Sequence, residues 1–93
     1  MHIRFKSFGP IRRLLGKPVL EIEVPEGSSV LQVVETIAAL GGQALRDLIL
    51  DNGQISGNLI VILNKRDIST LGGNNISVNE GDEIAILPHV QGG

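Results

Sequence analysis

The sequence has no cysteine, tryptophan or tyrosine, and only two phenylalanines among 93 residues. The missing cysteines exclude disulfides, thiolate metal sites and cysteine nucleophiles, so any sulfur chemistry must involve a partner or the chain terminus. With aromatics so scarce, the core must be built from Ile, Leu and Val, and hydrophobic residues at 42% are enough to supply one. A basic excess is missing too. Eight Lys and Arg stand against ten Asp and Glu, a net charge of −2, which argues against a general nucleic-acid binder with its interleaved aromatics. No apolar run approaches the roughly 18 residues of a membrane span, and Met1 to Gly9 lacks the apolar centre of a secretion signal. The expectation is a cytoplasmic protein with neither a membrane nor a nucleic-acid partner.

Ninety-three residues suit one domain with a modest core. His2-Ile3-Arg4-Phe5-Lys6 alternates polar and apolar, the period of a half-buried strand with Ile3 and Phe5 inward. Gly9-Pro10 breaks it. Beyond Ile11 to Gly16, the run Leu20-Glu21-Ile22-Glu23-Val24 alternates again, so two neighbouring strands are expected. Five of the eight basic residues, Arg4, Lys6, Arg12, Arg13 and Lys17, precede the first acid at Glu21. They form either a basic patch for an anionic ligand or cross-strand pairs in which Arg4 and Lys6 face Glu21 and Glu23.

Pro25-Glu26-Gly27 is a turn, and Ser29-Val30-Leu31-Gln32 fits the capping box, with serine and glutamine side chains satisfying each other's free backbone donors. The main helix starts there. Val30, Val33, Val34, Ile37 and Ala38 form one apolar stripe, and Gly41-Gly42 supplies a stop. Gln43 to Leu50 adds two further helical turns before Asp51-Asn52-Gly53 turns the chain. Leu59 to Leu63 is a short, continuously apolar run, as expected of a central strand. Asn64-Lys65-Arg66-Asp67 closes it, Ile68 begins a brief return, 71–75 is loop, and Asn79-Glu80-Gly81-Asp82 turns into a last strand from Glu83 to Leu87. Both late strands are apolar on two faces. One helix cannot cover both, so the surplus face implies either a second layer, drawn from Gln43 to Leu50, or a docking surface.

After that last strand the chain ends on a glycine pair. Pro88 cannot donate to a ladder, so pairing ends there, and a domain over 1–87 is followed by a thin, flexible tail over 88–93. Without Cβ atoms, Gly92 and Gly93 can lie extended in a narrow channel and present an unshielded carboxylate, the candidate working group.

Four stretches, Phe8-Gly9-Pro10-Ile11-Arg12, Val24 to Val30, Leu63 to Ile68, and Glu80 to Gly93, resemble the MoaD/ThiS family of ubiquitin-like sulfur carriers. The resemblance runs over almost the whole chain. Its length and its Leu-Pro-His-Val-Gln-Gly-Gly ending look most like the small subunit of molybdopterin synthase. It departs at Lys65, where the family often has glycine and a left-handed backbone is less comfortable for lysine, and at His89, where the family often has a second proline.

The resemblance implies an α+β fold, the ubiquitin-like β-grasp, with a mixed sheet of four to five strands packed on one main helix. It also implies that the chain is not catalytic alone. The Gly93 carboxylate would be adenylated by an ATP-using enzyme of the ubiquitin-activating type, sulfur from a persulfide donor protein would displace AMP, and the resulting thiocarboxylate would enter the large subunit of molybdopterin synthase. No cofactor is expected on this chain, and ATP belongs to the activating enzyme. Gly92 grants passage. Pro88, His89, Val90 and Gln91 form the recognised arm, with His89 as either a solvated residue or an acid or base in a partner's site. Phe8 and Leu87 are docking residues, or else core. The competing classes are a protein modifier joined to lysine amines through Gly93, a tRNA-thiolation or thiamine-type carrier, and a plain interaction domain.

Overall fold

The computed structural model describes residues 1–88. Strand β1 (His2–Lys6) leads through helix α1 (Gly9–Leu15) to β2 (Val19–Glu23), then to the long helix α2 (Val30–Ile49). Two minimal strands, β3 (Leu50–Asp51) and β4 (Gln54–Ile55), make a hairpin. Then come β5 (Leu59–Leu63), β6 (Arg66–Asp67), a 3-10 turn at Ile68–Thr70, and β7 (Glu83–Pro88). The main sheet runs β2-β1-β7-β5-β6, with β1 and β7 parallel and every other pairing antiparallel. This is the mixed five-stranded β-grasp sheet under one main helix.

Helix α1 is the element that the reading of Gly9-Pro10 as a simple break does not anticipate. Proline in the first helical turn has no N–H to waste and a φ already set for the helix, so the same residues that end β1 start α1. Only Ile11 of this helix is fully buried.

Helix α2 begins as the capping box requires: Ser29 Oγ accepts from Gln32 N–H at 3.2 Å, and Gln32 Oε1 accepts from Ser29 N–H at 2.8 Å. Val30 and Leu31 N–H donate to the loop carbonyls of Ile76 and Asn74, so the helix start is sealed by protein. At Gly42 (φ 81°, ψ −174°) the backbone leaves helical geometry, joining two helical pieces across a kink. Gly41 has a separate role: a Cβ there would collide with the Leu45 side chain, which crosses the backbone on its way into the core.

The core lies between helix and sheet. Ile3 and Phe5 of β1, Ile22 of β2, Val61 and Leu63 of β5, and Ile84 and Ile86 of β7 meet Val30, Val33, Val34 and Ile37 of α2. Leu45, Ile49 and Leu50 join this same core, so Gln43 to Leu50 forms no second layer on the far side of the sheet. The turn between β5 and β6 has Asn64 at φ 49° and Lys65 at φ 72°, the paired left-handed residues of a type I′ hairpin turn; the lysine takes the strained position anyway.

Register also corrects one charge pairing. Arg4 lies opposite Glu21 and its Nε donates to Glu21 Oε1 at 2.9 Å, but Glu23 lies opposite His2, whose Nε2 stands 2.6 Å from it. Lys6 lies opposite Val19, so its ammonium turns to Glu83 on β7 at 3.5 Å instead.

Candidate functional site

The face of the sheet away from α2 divides into two halves. On β2 and β1, Glu21, Glu23, His2, Arg4 and Lys6 point outward and satisfy one another or Glu83. On β7 and β5 the outward positions are Ala85 and Leu87, opposite Ile62 and Ile60. Leu87, Ile60 and Ile62 are half-buried, and none belongs to the core or packs against it. An apolar strip therefore lies on this face with no element of the described residues over it.

Phe8 extends the strip. Lys6 pairs with Ala85 in parallel register, so Phe8, two residues on and still extended (φ −141°, ψ 153°), comes level with Leu87 on the same face. The two docking candidates, far apart in sequence, are thus brought to the same end of this face. The Arg12 guanidinium sits over the Phe8 ring, 5.5 Å from its centroid, and Arg12 Nε donates to the Ser7 carbonyl at 3.0 Å. A cation held on an aromatic face in this way contributes about 0.5–1 kcal/mol at an exposed site. It also fixes a positive charge at one end of the apolar strip. Arg13 and Lys17 are exposed nearby in sequence and make no ion pair among the described residues.

Pro88 is the last residue of β7, exposed and opposite Leu59. Asn64 N–H donates to the Glu83 carbonyl at 2.9 Å, which sets the phase of the ladder: Ile62/Ala85 and Ile60/Leu87 exchange hydrogen bonds, and Leu59/Pro88 falls on a non-hydrogen-bonded pair. Proline fits this place because the ladder asks no N–H of it. Pro88 thus stands at the end of the sheet where Leu87 lies. His89, Val90, Gln91, Gly92 and Gly93, the tail and its terminal carboxylate, lie outside the described residues.

Among the described residues no cluster of three His, Cys, Asp or Glu side chains suits a metal, and no helix is long and apolar enough to cross a membrane. The donors at the start of α2 are already engaged, so that terminus offers no anion site.

The sequence signature of the ThiS family matches residues 6–93, the apolar strip and the glycine pair included. The chain belongs to the ThiS family. A candidate sulfur carrier protein of Archaeoglobus fulgidus is 30% identical over 74 residues, 80% of this chain and 83% of that one. Among solved structures, small archaeal modifier protein 1 of Methanosarcina acetivorans superposes with a TM-score of 0.85 at 27% identity, covering 99% of this chain and 96% of that one. A candidate molybdopterin converting factor subunit 1 of Pyrococcus furiosus superposes with a TM-score of 0.76 at 22% identity, covering 97% and 99%. This ThiS-family chain thus shares its fold with ubiquitin-like carriers and modifiers alike.

Ile60 and Ile62 are site candidates that the sequence alone did not single out, and Arg12 enters there only as one of five basic residues of a candidate patch. The two-sided apolarity of Leu59 to Leu63 was legible, but which of its residues face outward follows only from the register against β7.

Proposed function

We propose that the chain is a sulfur carrier that works through a thiocarboxylate on Gly93. The observation that carries this reading is the family match running through to Gly93, with the glycine pair following a strand end that stands beside an uncovered apolar strip. A carboxylate is a poor electrophile at neutral pH, so an activating enzyme first joins Gly93 to AMP from ATP, releasing pyrophosphate. The terminal sulfur of a donor persulfide then attacks the carbonyl and expels AMP. A thiol reduces the acyl disulfide so formed, leaving the thiocarboxylate on Gly93 and a protein disulfide. The Phe8, Leu87, Ile60 and Ile62 strip seats the chain on its partners; Pro88, held in β7, anchors the arm, and His89 to Gly92 reach into their active sites. The recipient proposed is a cyclic pterin phosphate held by the large subunit of molybdopterin synthase. The Leu-Pro-His-Val-Gln-Gly-Gly ending and the Pyrococcus furiosus structural neighbour support it.

A second reading is supported by the likeness to small archaeal modifier protein 1: the same adenylate is attacked by a target lysine amine, giving an isopeptide bond. Intact mass of the chain isolated from its own host separates the two. Exchange of one oxygen for sulfur on the free chain establishes the carrier, and glycine-glycine branches on lysines of other proteins establish the modifier. Gly93→Ala, or one residue added after Gly93, abolishes adenylation with the fold intact; full activity in either variant refutes both readings.

A further inference from the structure

Beside β5, on the side away from β7, lies a groove of about 390 Å³ whose lining includes Ile55, Ser56, Leu59, Val61, Ile68 and Ser69. The phase of the β5/β7 ladder turns the backbone groups of Leu59, Val61 and Leu63 away from β7. Leu63 meets Arg66 of β6, but β6 ends at Asp67 and the chain winds into the 3-10 turn. The Ile68 carbonyl, next in line, accepts from Leu71 and Gly73 N–H at 2.9 Å each. Among the described residues, this leaves Val61 N–H and Leu59 C=O facing the groove with no backbone partner. A donor and an acceptor at this spacing on a strand edge match the N–H and C=O of one residue of an incoming parallel strand. Ile60, which also lines the groove, stands on the apolar strip, so the groove and the strip are continuous.

We infer that this groove receives an extended main-chain segment of the activating enzyme that docks on the apolar strip, added beside Leu59–Val61 as a short parallel strand that continues the sheet. The inference rests on the docking role of the strip given above. The incoming segment accepts from Val61 N–H, donates to Leu59 C=O, and lays an uncharged side chain between Ile55 and Ile68. Sheet extension sets the orientation of the partner on a strip that, being apolar, sets little by itself.

The test is residue-resolved amide exchange on the isotope-labelled chain, alone and with the ubiquitin-activating-type enzyme of the same organism plus ATP. In the free chain the Val61 amide exchanges at least about tenfold faster than those of Ile60 and Ile62, and in the complex it slows at least about tenfold. Ser69→Trp, which fills the groove from a turn outside the strip, weakens binding about tenfold with an unchanged melting temperature. If Ile62 and Leu87 methyl signals shift while Val61 exchange stays the same, docking stands and strand addition is overturned. A Val61 amide already protected in the free chain overturns it as well. If neither the methyls nor the amide respond, the docking role itself falls.

Discussion

The two faces of β5 and β7 come from the same apolar runs and meet opposite fates. Val61, Leu63, Ile84 and Ile86 point to α2 and are buried in the core, with Ile84 and Ile86 fully so. Ile60, Ile62 and Leu87, one residue out of phase on the same strands, lie on a face that no described element covers. Hydrophobicity alone does not tell these residues apart. On a strand of period two, only the placement of the helix decides which set builds the fold and which is left to meet another protein. The charged half of the outer face shows the alternative: there Arg4 and Glu21, and His2 and Glu23, occupy the equivalent positions and pair with one another.

The sharpest way to break this comparison is to substitute one residue from each face of β7. Ile84→Ala removes buried methylenes at a site with no exposure and should cost about 2–5 kcal/mol, enough to unfold much of a small domain, as read by denaturant titration. Leu87→Lys should cost less than about 1 kcal/mol in the same titration. It should nonetheless lower kcat/KM for adenylation at least about tenfold, about 1.4 kcal/mol of lost docking. Equal stability losses from the two variants would mean that Leu87 serves the core and that the faces are not functionally distinct.

Much of this architecture was legible beforehand because local signals agreed with the global fold. The alternation in 2–6 and 20–24, the Ser29/Gln32 box, the break at Gly41-Gly42 and the tight turn at Asn64-Lys65 each forced one choice of element. What stayed hidden depended on register or on a short element. Helix α1 is seven residues with one fully buried side chain, too little for a periodic signal, and its proline reads equally as a break. The two-residue strands β3 and β4 carry no period at all. That Phe8 and Leu87 share one end of the outer face follows from parallel pairing between residues almost eighty positions apart, which no local pattern encodes.

A smaller effect is expected where the two late strands are held in phase. Asn64 Nδ2 donates to Asp82 Oδ1 at 3.0 Å, Asn64 Oδ1 accepts from Glu83 N–H at 2.9 Å, and Asp82 Oδ2 accepts from Asn79 N–H at 2.7 Å. This exposed network clamps the tip of the β5/β6 hairpin to the start of β7, and so fixes which residues of β5 and β7 face outward. Asn64→Ala removes two of the three bonds and puts alanine at φ 49°, which together should cost about 1–2 kcal/mol by thermal or chemical unfolding. A loss below about 0.3 kcal/mol would show that the Leu59–Leu63 pairing holds its register unaided.

The smallest effect has the opposite sign. Lys65 occupies φ 72°, where a side chain costs about 1–2 kcal/mol that glycine avoids. Glycine in turn loses more backbone freedom on folding, about 0.4–1 kcal/mol. The difference predicts that Lys65→Gly stabilises the chain by about 0.5–1 kcal/mol, a rise of about 2–8 °C in Tm for a domain of this size. The turn belongs to neither face of the sheet, so adenylation of Gly93 should be unchanged. A Lys65→Gly chain that melts higher but is adenylated more slowly would place Lys65 in the partner's footprint, and would extend that footprint beyond the apolar strip to the tip of the β5/β6 hairpin.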